Sequence, residues 1–142
     1  LTPEVRAEIQ RQGKTLHEVL ILASIVEREV PDGPDRPIVA GIFTRRLDIG
    51  MPLQSDATVN YVTGEKRSRP TLDDLRAESL YNTYIHRGLP PGPINNPGSS
   101  AIRAAIFPQR SAYLYYLTAP DGTVIYSRTH EEHVRAKARY YP

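Results

Sequence analysis

Thr15-Leu16-His17-Glu18-Val19-Leu20-Ile21-Leu22-Ala23-Ser24-Ile25-Val26-Glu27-Arg28-Glu29-Val30 reads as one helix with its start and its end both written into it. Thr15 and Glu18 have capping-box spacing: the threonine hydroxyl takes one free backbone N–H of the first turn, and the glutamate reaches back to another. At the other end Pro31-Asp32-Gly33-Pro34 forbids continuation past about Val30. With Leu16 at zero and a 3.6-residue period, Glu27 falls at about 20°, Leu20 at about 40° and Ala23 at about 340°, on an apolar stripe. On the same count Glu18 and Glu29 fall at roughly 200° and 220°, which predicts that both face solvent.

Working outward, Asp35 is a candidate cap for a second helix carrying Ile38, Val39, Ile42, Phe43 and Leu47 on one face and ending at Gly50 before Pro52. Ahead of the first, Val5 and Ile9 stand at helical spacing in a short segment that Gly13 stops. Ser55 or Asp56 is placed to cap a helix starting at Ala57, a polar loop spans 63–70, and Thr71 opens a short helix reaching about Leu80. The run Leu89-Pro90-Pro91-Gly92-Pro93-Ile94-Asn95-Asn96-Pro97 fits neither helix nor central strand, because its prolines fix φ and remove donors. Its apolar Leu89 and Ile94 would pin it as an ordered wall. Ser99 or Ser100 is a candidate cap for a helix through Phe107. Tyr113 to Thr118 and Thr123 to Ser127 are β-prone runs joined by Ala119-Pro120-Asp121-Gly122, and Thr129 opens a C-terminal helix. The expected class is α+β: a mostly helical single domain over residues 1–142 with a small antiparallel β-hairpin near the C-terminus.

The composition narrows the chemistry. Of 142 residues 39% are apolar and 24% charged, as in ordinary globular domains. The absence of cysteine removes disulfides, thiolate metal sites and thiol nucleophiles. The net charge is +2, and the basic and acidic residues form no long block, so nucleic acid is not demanded. His17, His86, His130 and His133 have no zinc spacing, and the last two read as an exposed pair on the final helix. No nucleophile-elbow serine or glycine-rich phosphate loop is present. No apolar run approaches the roughly 20 residues that cross a bilayer. The start Leu1-Thr2-Pro3 lacks both Met and a signal pattern, which reads as a fragment of a longer protein.

Three places carry candidate chemistry. Glu27, on the apolar stripe, must be paired or have its pKa raised by desolvation, and a raised pKa suits a general acid. The alternative is a structural ion pair with Arg45 or Arg46. Leu53-Gln54-Ser55-Asp56-Ala57-Thr58 is dense in hydrogen-bonding side chains, which suits a sugar or a helix cap equally. Tyr81-Asn82-Thr83-Tyr84, beside the proline-rich loop, supplies aromatic faces and an amide as carbohydrate grooves do, or else a core-edge tyrosine pair.

Taken together, Ala23-Ser24-Ile25-Val26-Glu27-Arg28-Glu29, Val39 to Phe43 with Arg46-Leu47, Gly50-Met51-Pro52-Leu53-Gln54-Ser55-Asp56, Tyr81-Asn82-Thr83-Tyr84, Gly88 to Ile94, Asn96-Pro97-Gly98 and Tyr113-Leu114-Tyr115 resemble the MltG (YceG-like) endolytic murein transglycosylases. The resemblance runs from Thr15 to the final helix. It implies a lyase-type cleavage, within peptidoglycan glycan strands, of the β-1,4 bond between N-acetylmuramic acid and N-acetylglucosamine. The products would end in 1,6-anhydro-muramic acid, and nascent strands would be terminated. It further implies Glu27 as the catalytic acid and base. Gln54, Ser55, Asp56, Asn82, Thr83, Tyr84 and Pro91 would be groove residues, with Asp56 also steadying transition-state charge. No cofactor or metal is implied. The implied partners are glycan strands and peptidoglycan synthases, without nucleic acid. Membrane attachment would come only through a segment outside this chain, with the catalytic domain on the extracytoplasmic side of the plasma membrane.

A non-catalytic peptidoglycan-binding module is the rival reading, opposed by the intact Glu27. A pyridoxal-phosphate lyase would need a Schiff-base lysine. Lys14, Lys66 and Lys137 are the only lysines, and none sits in an apolar sequence context.

Overall fold

Helix α2 (Leu16–Glu29) forms the centre of the computed structural model, which describes residues 1–64 and 69–142. Its predicted capping box is present: Glu18 N–H donates to Thr15 Oγ1 at 3.1 Å and Thr15 N–H to Glu18 Oε1 at 3.0 Å. Val19 and every residue from Ile21 to Val26 are buried. Such a helix is enclosed around most of its circumference rather than along one stripe, and it packs on α3 (Asp35–Ile49), α4 (Asp56–Thr63) and α6 (Ser99–Ile106). Leu16, the origin of the predicted stripe, is 41% exposed. The stripe therefore does not define the core face.

Helix α1 (Pro3–Arg11) is capped by Thr2 and buries Ile9, and Gln12 Nε2 ties its end to the Ile106 carbonyl at 2.8 Å. Helix α3 buries Val39, Ile42 and Phe43 as predicted and ends at Gly50, whose φ of 73° is the left-handed turn glycine permits. Asp35 is its first helical residue rather than its cap, because its carboxylate accepts the Tyr126 hydroxyl instead. Gly41 lies against the backbone at Gln109: a Cβ there would stand 2.0 Å from the Gln109 carbonyl oxygen.

Ser55 occupies the N-cap of α4 without a side-chain capping bond. Helix α5 (Leu72–Leu75) keeps its Thr71 capping box but stops well before Leu80. Asn82 Nδ2 takes the Leu75 and Ala77 carbonyls at 3.0 and 2.9 Å, acceptors that a continuing helix would need. Part of the predicted polar loop 63–70, Lys66 included, lies outside the described residues. The proline-rich loop is an ordered wall: Ile94 N–H donates to Ser24 Oγ at 3.0 Å, and Asn95 Nδ2 to the Ser24 carbonyl at 2.7 Å. Gly98, not a serine, is the N-cap of α6, and Ser100 Oγ instead meets Asp32 Oδ1 at 2.5 Å.

Strands β1 (Tyr115–Thr118) and β2 (Val124–Ser127) pair antiparallel with Tyr115 opposite Ser127 and Thr118 opposite Val124. A two-stranded hairpin alone is marginal in water. Here Tyr116 packs edge-on against Phe43, with ring centroids 5.8 Å apart. Helix α7 (His130–Tyr140), capped by Thr129, lies over both strands. The result is the expected α+β class, mostly helical with one C-terminal hairpin. No described helix is long and apolar enough to cross a membrane.

Candidate active site

Glu27 and Glu29, two positions apart on the last turn of α2, have different surroundings. Glu27 Oε2 accepts from Arg36 Nη2 at 2.7 Å, and its Oε1 accepts the Gly98 N–H at 2.8 Å. Arg36 is 6% exposed and also donates to the Val30 carbonyl at 3.1 Å. Glu27 thereby clamps the end of α2 to the starts of α3 and α6. The Gly98 N–H, followed by the Arg36 guanidinium, holds its carboxyl below the ordinary carboxylate range against a smaller opposing effect of burial. The sequence expectation of a desolvated Glu27 with a raised pKa is corrected. Its partner is Arg36, in the first turn of α3 directly after the 31–34 reversal. Arg45 and Arg46, further along that helix, are engaged elsewhere: Arg45 Nη1 with the Ser111 carbonyl, Arg46 Nε with the Leu114 carbonyl and Arg46 Nη1 with the Leu53 carbonyl.

Glu29, expected on the solvent side, is on the groove side instead. It faces β1, and Tyr116 Oη donates to Glu29 Oε1 at 2.7 Å. The residue keeps partial exposure through the groove, but protein surrounds its carboxyl. Burial, with a smaller contribution from Asp56, pushes the carboxyl up to about 7, opposed by Tyr116, Ser55 and Arg46. Ser55 Oγ is buried and close enough to the carboxyl to affect it, yet it makes no bond of standard geometry, so Tyr116 is the direct partner. Arg46, itself desolvated and with its pKa lowered, lies behind the carboxyl with its guanidinium 5.2 Å from the Tyr115 ring centroid.

Glu29 opens on a groove of about 1380 Å³, lined at this end by Gln54, Asp56, Tyr84, Ile94 and Tyr116. Its size exceeds that of ordinary small-ligand pockets. Tyr84 Oη donates to Asp56 Oδ1 at 2.5 Å, and burial together with that bond pushes the tyrosine pKa far up. The hydroxyl therefore stays protonated and fixes the Asp56 carboxylate in the groove. Gln54 holds φ at 53°, a costly conformation for a residue with a side chain, and its N–H donates to the Thr83 carbonyl at 3.2 Å.

Of the residues predicted for the groove, Gln54, Asp56 and Tyr84 line it. Ser55, Asn82 and Thr83 are buried supports beneath it. Thr83 Oγ1 accepts the Ser55 N–H at 2.9 Å and pairs with Thr58 Oγ1 at 2.8 Å, while Asn82 Oδ1 accepts the Tyr84 N–H at 3.0 Å. They position the start of α4, which carries Asp56, and the loop that carries Tyr84. Pro91 is exposed outside this groove, its carbonyl 3.1 Å from His17 Nε2. Sequence reasoning missed Glu29, whose helical phase was referred to the wrong face, and Tyr116, which no motif marks. It also missed the aromatic stacking of His130 and His133 on Tyr115, at centroid distances of 5.8 and 5.0 Å. Both histidines line the groove: His130 is exposed as expected, and His133 is half-buried.

Two curated relatives named endolytic murein transglycosylase are similar to the chain. The protein of Bacillus subtilis (strain 168) is 40% identical over 135 residues, 95% of this chain and 38% of that protein. The protein of Streptococcus pneumoniae serotype 2 (strain D39) is 35% identical over 138 residues, 93% of this chain and 25% of that protein. The chain thus spans well under half the length of these relatives. A crystal structure of a YceG-like protein from Listeria monocytogenes superposes with a TM-score of 0.88 at 44% identity, covering 94% of this chain and 44% of that one. The family model described as YceG-like matches residues 1–139, and with that coverage, relatives at this identity and the shared fold, the chain belongs to the YceG-like family.

Proposed function

We propose that this chain carries the catalytic site of an endolytic peptidoglycan lytic transglycosylase, with Glu29 as the acid and base. The observation that carries the reading is the Glu29 carboxyl, enclosed by protein, raised to about 7 and facing a long groove. A carboxyl with that pKa is about half protonated at neutral pH, so it can both give up a proton and take one back, as an acid and base must. Glu27 has the opposite disposition, a partnered carboxylate held ionised, and is assigned to positioning. The relatives' shared name supplies the substrate class, murein, and the groove's aromatic and polar lining is suited to a glycan.

In the proposed reaction, protonated Glu29 donates to the oxygen linking C1 of N-acetylmuramic acid to C4 of N-acetylglucosamine. The C1–O bond breaks, the N-acetylglucosamine leaves as an alcohol, and positive charge develops at C1. The resulting Glu29 carboxylate takes the proton of the muramic C6 hydroxyl as O6 bonds to C1. A 1,6-anhydro end forms, Glu29 is reprotonated, and no water is consumed. Asp56, held by Tyr84, is a negative charge placed to stabilise the cationic stage. A murein substrate implies a site on the extracytoplasmic side of the membrane, and that location is part of the proposal. Attachment to that membrane, cooperation with peptidoglycan synthases and termination of nascent strands belong to the same proposal for the parent protein.

The test is mass spectrometry of fragments released from purified peptidoglycan by the chain and by its Glu29→Gln variant. Anhydro-ended fragments that vanish in the variant are expected. Reducing ends would instead show that water, not the muramic C6 hydroxyl, attacks C1, making the reaction a hydrolysis. Sacculus binding without any release would return the chain to a non-catalytic binding module.

A further inference from the structure

The groove does not end at the acid. Beyond Tyr116 the same cavity runs along β1 to the face of α7, where His130, His133 and Lys137 line it at i, i+3 and i+7. Tyr115 joins the two ends, stacked on His133 and lying beneath the Arg46 guanidinium. Across the far end, the Arg69 guanidinium sits 4.1 Å from the Tyr141 ring centroid, and the Tyr141 hydroxyl donates to the Thr118 carbonyl.

Charge is distributed unevenly along this cavity. Among the described lining residues the acids, Glu29 and Asp56, lie at the catalytic end together with Arg28 and Arg46, whereas Arg69, Lys137 and the two histidines at the other end have no lining carboxylate beside them. Lys137 is exposed and forms no ion pair with a described residue. His133 Nδ1 is buried without a hydrogen-bond partner among the described residues. Burial and the neighbouring Lys137 push the His133 pKa down to about 4, so that ring is a neutral stacking surface at neutral pH and Lys137 supplies the charge. A glycan stripped of peptide keeps only the lactyl carboxylate of each muramic residue, held close to the sugar ring. The muramic residues of peptidoglycan carry a peptide stem ending in carboxylate, repeated along the strand, which a lysine beside a groove can hold by a charge-assisted hydrogen bond.

We propose that the Lys137 end of the groove is a subsite for the carboxylate of a peptide stem carried by the glycan, so that the chain selects stem-bearing strands. This rests on the transglycosylase reading of the same groove. Lys137 and Arg69 supply the positive field, and Tyr115, His130 and Tyr141 supply the surface along which the stem lies. The catalytic end is left to the sugars.

The test measures binding apart from turnover, by titration calorimetry of the chain and its Lys137→Gln variant. The probes are one purified muropeptide tetrasaccharide, the same sugars stripped of peptide by an amidase, and stripped sugars carrying a 1-phosphate. At low salt the expected result is at least a fivefold preference for the stem-bearing probe, lost in Lys137→Gln while the stripped sugars bind both proteins alike. Equal affinity of the chain for the first two probes, or a preference unchanged in the variant, overturns the subsite, as does a preference for the phosphate probe over the stem-bearing one. Fragment release from peptidoglycan, measured in parallel, reports on the catalytic reading alone, so the two can fail separately.

Discussion

Tyr116 Oη donates a 2.7 Å hydrogen bond to Glu29 Oε1 across 87 positions of sequence, joining the last turn of α2 to the first strand of the hairpin. That contact marks the carboxyl facing the groove, and it supports the glutamate's ionised form against the burial that favours the neutral one.

Replacing Glu29 by Gln removes the transferable proton and keeps the shape. Fragment release should fall by roughly 10²–10⁴-fold, the usual contribution of a general acid. The melting temperature should not fall, which distinguishes lost chemistry from lost fold.

The activity should fall as pH rises through about 7, where Glu29 gives up its proton. Stability follows the same sign. Glu29 has a folded pKa above its ordinary value of 4.5, so its contribution is fully present below about 4.5 and is lost as pH rises through about 7. Melting temperatures of the chain and of Glu29→Gln, compared from pH 4 to pH 8, should show the parent losing ground to the variant with rising pH. A constant difference would remove the raised pKa.

Tyr116→Phe deletes the hydroxyl and little else. Its hydrogen bond favours ionised Glu29, so the alkaline limb of the activity profile should move to higher pH in the variant. An unmoved limb would mean that the bond has no effect on the acid.

Glu27→Gln should be costly for stability rather than for chemistry. It leaves Arg36, 6% exposed, without its anionic partner, and a loss of about 1–3 kcal/mol is expected from denaturant titration. Residual activity at low temperature should exceed that of Glu29→Gln by at least tenfold. The reverse order of the two variants would return the acid role to Glu27.

Gly41→Ala tests the packing of α3. Its Cβ would stand 2.0 Å from the Gln109 carbonyl oxygen, a backbone atom with no side-chain freedom to yield. Destabilisation of at least about 2 kcal/mol is expected.

The elements were legible because local chemistry dictates them. The Thr15–Glu18 capping box, the 31–34 stop, the left-handed Gly50 and the Thr129 cap each act within one turn of backbone, and each appears in the structure where the sequence puts it. Where a prediction slipped, a distant group had taken the local one's partner. Asp35 is held by Tyr126 instead of capping α3, and Asn82 takes the carbonyls that would have carried α5 onward.

By itself the sequence determined that two glutamates near the end of α2 lie on opposite sides of it, because 3.6 residues per turn separates positions i and i+2 by about 200°. It also determined the helix that carries them, the rigid proline wall and the density of polar groups around Asp56. Only the tertiary structure decided which side is the groove. Helix α2 is buried on nearly every side, so periodicity could not tell a face covered by structure from a face lining a cavity. The covering elements, Gly98 with Arg36 on one side and Tyr116 on the other, come from elsewhere in the chain. A carboxyl's pKa depends on what surrounds it in space, so the partnered glutamate is held ionised and the enclosed one is pushed towards its neutral form.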